Sequence, residues 1–462
     1  MPHMRPDDLK TFVQLIDQAD QLARVPIAVD PHLELATIVD LVSKGAGQRR
    51  ALLFEQVRGA PLPVAANLFG TPERVAWAFG TTDLEGLAQR LESDLCKCGV
   101  SAATAALRAL CTAAEWQPAV VNRAPCRERD HSAQGLTLFP PIKAWPGDGG
   151  PYLTLAQVYT RHPDGGALNC GMYRIQCHER SVATVRCRPG SGAARHLAAW
   201  QQRGAAMPVA VALGGPPILS WAAGAPLPEG VEEAAFCGYL TGQPLSMSAC
   251  QNSDLLVPAS AEVVIEGVIE PGAVRVEGPF GNHTGSYNGD AAAPLLRVLS
   301  VHGRDGAIYP WTLVGPPPME NLQLAQATAR LFLPLIKLDL PTVRELHMPA
   351  EGIYHRAALV TVDPGEVRPF VELARLLWDT LLLQGSRLLV VAAADHNPRD
   401  PAAVFWRVLN RVDWGRDLLV ADGRLAIDAR RLPAGTAVHG DPETLAKVLA
   451  RWPEYRIEPG RW

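Results

Sequence analysis

The sequence predicts a multidomain chain of mixed α+β and α/β class, with an α/β unit at each end of a β-rich middle. Three observations carry this. The opening mixes amphipathic helix patterns with short apolar runs. From about 116 to about 305, proline and glycine become dense and short β-branched runs alternate with turns. Beyond that, apolar runs alternate with helical stretches, the pattern of a parallel sheet with crossover helices. The length of 462 residues exceeds what one hydrophobic core usually serves. The divisions read are 1–115, 116–305 and 306–462.

In order, Leu9, Phe12, Val13 and Ile16 share one helix face, as do Leu35, Ile38, Val39 and Val42, with Gly45 as a stop. The apolar run 51–57 reads as a strand. Thr71-Pro72-Glu73 reads as an N-cap with proline at the first helical position, and the helix continues past Val75 and Trp77. In the middle block, 262–269, the turn Glu270-Pro271-Gly272 and 273–276 read as a hairpin, within a small barrel or sandwich that carries inserted helices. In the last third, strands are expected at 357–362 and 388–393, with helices near 368–383 and 401–412.

Composition excludes several classes. Apolar residues make up 48% and charged residues 19%, which is globular rather than disordered. The 43 basic and 47 acidic residues give a net charge of -4, without the basic patch of a nucleic-acid binder. Nine scattered cysteines behind Met1-Pro2-His3-Met4-Arg5-Pro6-Asp7, which has no apolar signal region, read as reduced cytoplasmic thiols. The apolar stretch 208–228 is broken by Gly214-Gly215-Pro216-Pro217 and cannot span a membrane.

Glu277-Gly278-Pro279-Phe280-Gly281-Asn282-His283-Thr284-Gly285 and Asn169-Cys170-Gly171-Met172-Tyr173-Arg174 set glycines around side chains that hold charge. Neither suits an ordinary core strand, and such glycines mark places where a ligand or another backbone comes close. Arg174 with Glu277 can grip a carboxylate or tune a proton donor, if the fold brings them together. The loop 188–195 places Gly190 and Gly192 before a helix bearing His196, Leu197 and Trp200. That suits a phosphate, with Arg186, Arg188 and Arg195 adding charge, or simply a capped helix. Asn169 and Glu233 can serve a hard cation, although Glu232-Glu233 also reads as a solvated helix end. Cys96, Cys98, Cys126 and His131 lack the spacing of a zinc site.

Taken together, these motifs resemble the UbiD family of aromatic acid decarboxylases over nearly the whole chain. Asn67-Leu68-Phe69-Gly70-Thr71-Pro72-Glu73, Asp148-Gly149-Gly150-Pro151-Tyr152, Asn169 through Gln176, Val257-Pro258-Ala259-Ser260-Ala261-Glu262, Glu277 through Tyr287 and Tyr309-Pro310-Trp311-Thr312 carry it in order. The wording of Gly281 to Tyr287 is nearest to the 4-hydroxybenzoate-type branch. The resemblance implies a central split β-barrel that binds prenylated FMN, and a C-terminal α/β domain that builds homodimers or homohexamers. It also implies a divalent metal (usually manganese), a monovalent cation such as potassium, and a flavin prenyltransferase as supplier of the cofactor. The substrate would be a small aromatic or heteroaromatic acid.

By motif position, Asn169 and Glu233 would be metal ligands. Thr154, Met172, Tyr173, Arg174, Arg186, Cys187, Arg188, Ser191, Gly192, Glu233 and the turn Ala223-Gly224-Ala225-Pro226 would hold the flavin. Arg174 and Glu277 would be the catalytic pair. The chain departs from the family in two places. Asn282 replaces a carboxylic acid that returns the proton, which leaves three readings: Glu277 or His283 supplies it, the pocket is tuned for electron-rich rings that protonate more easily, or the protein is slow or inactive. Gly190 and Ser191 stand where relatives place a histidine or a His-Arg pair. A flavin-binding subunit with little or no turnover is the alternative.

Overall fold

The computed structural model describes residues 5–45, 47, 49–395, 397–431 and 441–455. Met1-Pro2-His3-Met4, which open the segment read for a signal, lie outside the described residues. The first helix, Leu9–Gln18, buries Leu9, Phe12, Val13 and Ile16, and Asp8 caps it by accepting from the Thr11 N–H at 2.7 Å. Glu34–Lys44 ends at Gly45 as expected. Thr71 caps Pro72–Ala78 through the Arg74 N–H. The strands Leu22–Val29, Ala51–Val57 and Val64–Ala66 form a sheet whose fourth strand is Tyr309–Trp311, paired parallel to Val64–Ala66. The chain thus returns to its opening sheet after traversing the whole middle block.

That block is a ten-stranded, antiparallel, curled sheet. Its path runs from Tyr152–Leu153 at one end to Asn169–Met172 at the other, and among the described residues these ends do not pair, so the barrel is split. The helices Gly192–Gln202, Pro217–Ala222 and Glu233–Thr241 are inserted into it.

The expected hairpin is not there. Ala261–Ile269 and Val274–Glu277 both pair antiparallel with the long strand Ala291–Gly303, at Val268↔Arg297 and then Val274↔Pro294. They are one strand path with a kink, not a reversal. Pro271 and Gly272, at φ +71, divert the chain for a few residues, and the Leu295 N–H to Ala273 carbonyl bond restores the ladder. A turn signal reads the same for a kink as for a hairpin, because Pro and Gly fix local dihedrals and not the strand's partner.

The last third forms a five-stranded sheet in the order Val343–His347, Ala357–Val362, Leu388–Ala393, Arg424–Ala429, Leu418–Ala421. The three inner strands are parallel, and Phe370–Trp378 and Pro401–Arg411 lie between them in sequence. Both outer strands run antiparallel, so the sheet is mixed rather than purely parallel. The helix Glu320–Asp339 ties this region to the opening domain. It packs along Leu84–Lys97, and its Glu320 carboxylate accepts the Phe69 N–H at 2.9 Å. Among the described residues no helix is long and apolar enough to cross a membrane.

Arg74 secures the opening domain. It is 1% exposed and donates to the carbonyls of Arg49, Asn67 and Leu68 and to the Gln21 amide oxygen. Burial lowers its pKa to about 10, so it stays charged at neutral pH. Arg74→Leu strands these acceptors without a donor. We expect a loss of about 3 kcal/mol or more, seen as a lower thermal midpoint by circular dichroism. An unchanged midpoint would contradict this role.

Candidate active site

Arg174 and Glu277 meet. Arg174 Nε donates to Glu277 Oε1 at 2.8 Å and Nη2 to Oε2 at 2.7 Å, a two-pronged guanidinium–carboxylate pair. Glu277 is 1% exposed and Arg174 13%. Arg186 stands behind, its Nη1 3.7 Å from Glu277 Oε2. Strand geometry explains the meeting. Arg174 leaves Asn169–Met172 at one end of the curled sheet, and its carbonyl accepts the Arg186 N–H at 3.1 Å. Glu277 ends the strand Val274–Glu277. The Arg174 guanidinium also lies 4.5 Å from the Phe280 ring centroid.

The glycines around Glu277 serve protein contacts. A β-carbon at Gly278 would stand 2.7 Å from the Gly149 Cα, and one at Gly281 would stand 2.3 Å from the Trp145 ring. The Gly278 N–H donates to the Gln176 side chain, the Gly281 N–H to Asp148, and the Tyr152 hydroxyl to the Gly278 carbonyl. The sequence expectation is thereby corrected in part. What approaches these glycines is a second backbone and an indole, and both motifs contain strands, Asn169–Met172 and Phe280–Gly281.

Arg174 lines a cavity of about 1920 Å³. Its wall includes Thr154, Asn169, Met172, Tyr173, Arg186, Cys187, Arg188, Ser191, Gly192, Ala223, Gly224, Ala225, Pro226, Glu233, Asn282 and His283. Among the expected site residues, Glu277 alone stands behind the wall. Several of these side chains are spent on structure. The Thr154 hydroxyl bridges the Thr312 carbonyl and N–H. Asn282 Oδ1 accepts from the Thr284 N–H and hydroxyl, and Nδ2 donates to Asn288. Ser191 caps Gly192–Gln202 through the Ala194 N–H. The Met172 N–H donates to the Ala223 carbonyl at 2.7 Å, which fixes the turn 223–226 against the strand.

Asn169 and Glu233 share one edge of this cavity. The helix Glu233–Thr241 is stapled to their strand, since Glu232 accepts the Leu168 N–H and Glu233 the Cys170 N–H at 2.8 Å. A β-carbon at Gly192 would fall 1.8 Å from Asn169 Oδ1, so only glycine lets the start of the helix Gly192–Gln202 reach Asn169. Glu233 is buried, not part of a solvated helix end, and burial pushes its pKa up to about 8. Among the described residues no group of three His, Cys, Asp or Glu side chains converges as a metal site, and Cys96 and Cys126 belong to none. Asn169 and Glu233 present two oxygen-bearing side chains to the cavity.

The cavity suits an anionic flavin. It is lined by Arg174, Arg186, Arg188 and Arg195 against Glu229 and Glu233. A helix begins at its wall, which favours phosphate. Asn321 Oδ1, buried in the same wall, has no hydrogen-bond partner among the described residues and can accept from a ring N–H.

Comparison with known proteins identifies the family and the fold. Residues 119–317 match the 3-octaprenyl-4-hydroxybenzoate carboxy-lyase Rift-related domain, 13–92 its N-terminal domain and 322–432 its C-terminal domain. The chain belongs to the UbiD family of carboxy-lyases. An uncharacterized Archaeoglobus fulgidus protein is 34% identical over 97% of this chain and 98% of its own length. An uncharacterized Synechocystis protein is 32% identical over 97% and 96%. The evolved dimeric form of the UbiD-class enzyme HmfF from Pelotomaculum thermopropionicum, in complex with prFMN, superposes with a TM-score of 0.82. It is 26% identical, with 97% of this chain and 100% of that one covered. Vanillic acid decarboxylase from Sedimentibacter hydroxybenzoicus, in closed form, shares the fold with a TM-score of 0.84 at 23% identity over 97% and 99%.

This UbiD cavity has walls that motif reading missed. Asn321, Leu324, Met348, Tyr354, His355 and Leu381 come from the last third, and His162 and His196 from the middle. Of these, His196 directly follows the loop 188–195, and Asn321 lies shortly after Tyr309-Pro310-Trp311-Thr312.

Glu233 yields a pH prediction. A carboxyl whose folded pKa is raised from about 4.5 to about 8 costs no stability below its unfolded pKa. The penalty grows as pH rises through that window and is complete above it. Glu233→Gln keeps an acceptor for the Cys170 N–H and removes the penalty. In metal-free protein, the midpoint of the variant relative to wild type should rise between pH 5 and pH 8.5. A pH-independent difference would contradict the shift.

Proposed function

We propose that the chain is a prenylated-FMN-dependent enzyme that reversibly decarboxylates an aromatic or heteroaromatic acid. The observation that carries this is the buried Arg174–Glu277 pair at the wall of a flavin-sized, net-basic cavity. When bound, prenylated FMN supplies the electron sink that an aryl carboxylate needs on losing carbon dioxide, and no protein side chain offers one. Its phosphate would meet the helix start at Ser191 and Gly192 with Arg195 near. Asn169 and Glu233 would hold the divalent metal, manganese, with phosphate and water completing its shell. A flavin prenyltransferase would supply the cofactor, potassium would be the monovalent cation, and the assembly would be a cytoplasmic homodimer or homohexamer.

Within this site Arg174 binds the departing carboxylate, and Glu277 holds the guanidinium at a fixed angle so that little orientation entropy is lost on binding. Glu277 has both oxygens engaged by Arg174 and is a poor proton source. His283 is better placed. Its Nδ1 lies 3.4 Å from the Gly315 carbonyl, which only accepts, so the proton sits on Nδ1 and Nε2 is left to take and return another. Burial lowers the His283 pKa, and an entering anionic acid favours its charged form.

Co-expression with the prenyltransferase tests the reading through bound modified flavin and carbon dioxide exchange over an acid panel. The spent amide of Asn282 favours one rival, a flavin-binding subunit without turnover. Bound flavin with no exchange would support that rival.

Arg174→Ala should lower turnover about 10³-fold or more with fold and flavin content intact, and undiminished turnover would remove Arg174 from its role. His283→Gln should cost about 10²-fold. Asn282→Asp keeps the acceptor for Thr284 and adds an acid. It should raise the rate and change the solvent isotope effect if proton return limits turnover, and no change in either would clear Asn282 of that role.

A further inference from the structure

Asn169 can bind a hard cation only if its amide is turned the right way. The amide oxygen is a ligand, whereas the NH2 group can only donate. The two ends are nearly alike in shape, so packing alone does not choose between them. A hydrogen-bonded neighbour must.

The structure holds such a neighbour. Thr160 ends the strand Gln157–Thr160, which pairs antiparallel with Asn169–Met172 and sets Thr160 directly across from Asn169. Residues so opposed carry their side chains on one face of the sheet. Asn169 Nδ2 donates to Thr160 Oγ1 at 3.4 Å, and Thr160 Oγ1 lies 2.9 Å from His196 Nδ1. Thr160 is fully buried, behind the cavity wall that Asn169 and His196 line.

One helix brings both ends of this chain of bonds together. Gly192 and His196 stand four residues apart on Gly192–Gln202, on the face that packs against the two strands. Trp200, four residues further, donates its indole N–H to the Arg161 carbonyl at 2.9 Å and holds that face in place. The helix start thus meets Asn169 Oδ1 at Gly192, and its next turn meets Thr160 at His196.

The Thr160 hydroxyl has one hydrogen, which sets the order of the bonds. With Asn169 Nδ2 donating to Thr160, the hydroxyl donates to His196 Nδ1, and the imidazole proton sits on Nε2. Desolvation lowers the His196 pKa, with His162 and Arg195 adding to the shift, so the ring keeps a bare nitrogen to offer. The His162 ring packs edge-on against it, with centroids 6.0 Å apart. The reverse order needs Nδ1–H to donate to Thr160 and the hydroxyl to donate to Asn169 Oδ1. That would turn the amide over and put its NH2 group where a cation needs oxygen.

We infer that Thr160 and His196 are positioning residues for the metal. His196 Nδ1 takes the hydroxyl hydrogen of Thr160, Thr160 takes the N–H of Asn169, and Asn169 Oδ1 is left facing the helix start at Gly192. The inference rests on the metal reading of Asn169 and Glu233 above. A ligand held by such an outer partner loses less freedom on binding and cannot present its wrong end.

The test is a manganese(II) titration of the full chain, saturated with FMN and freed of metal by a chelator, with the free ion followed by electron paramagnetic resonance. Thr160→Val keeps the side-chain shape and removes the hydroxyl, and His196→Phe removes the acceptor. Each should weaken manganese binding about tenfold or more, and Thr160→Ser should keep wild-type affinity. In an Asn169→Asp background neither change should weaken binding further, because both carboxylate oxygens are ligands and no wrong end exists. Wild-type affinity in either variant would overturn the inference. So would equal losses in the Asn169→Asp background, which would mark Thr160 and His196 as supports of the fold alone. His196→Phe, at the cavity wall, decides the case by itself if Thr160→Val does not fold. A wild-type chain that binds no manganese would defeat the metal reading, and the positioning role with it.

Discussion

A carboxylate held at 1% exposure sets the terms for this site. The Arg174 fork, with Arg186 behind it, offsets the cost of taking that side chain out of water. The pairing is therefore demanding. It requires the end of the strand Val274–Glu277 to meet the chain leaving Asn169–Met172 within hydrogen-bond reach. The kink at 270–273 lets one strand path serve the long strand Ala291–Gly303 twice and still deliver Glu277 to the right place. The Gly149–Gly278 approach and the bonds from Gln176, Asp148 and Tyr152 hold the backbone around it. Loosening any of these would free the carboxylate to swing, and Arg174 would no longer present a fixed face to the cavity.

The cavity itself belongs to no single part of the chain. The curled sheet gives Arg174, the inserted helices give Ser191 and Glu233, and Asn321 through His355 close the wall from the last third. The strand Tyr309–Trp311 and the helix Glu320–Asp339 make that convergence possible, because both return the chain to its opening domain. The result is a basic chamber in which Arg174 and Arg186 are matched by Glu277.

Much of the site is legible in the sequence because its residues sit in contiguous motifs. Arg174, Glu277 and Asn169 stand out in this way, and so do the Thr71 cap and the strands Ala51–Val57, Ala357–Val362 and Leu388–Ala393. What stays hidden depends on distance in the chain. Pro271-Gly272 announces a turn but not which strand lies across it. The glycines at 278 and 281 announce a close approach but not that the partner is Gly149 or Trp145. Met348 and His355 sit in stretches with no pattern, and only tertiary folding brings them to the cavity wall. Glu233 reads equally as solvated, since burial of a helix start is not a local property.

The most direct measurement is a double-mutant cycle on isotopic carbon dioxide exchange, using Arg174→Ala, Glu277→Gln and the combined variant, each with confirmed flavin content. If the two residues act as one unit, each single change removes most of the exchange and the double variant is scarcely worse than either. Losses that multiply, with the double variant falling by the product of the two, would show that Arg174 and Glu277 work independently and that the buried pair is not the pivot of this site.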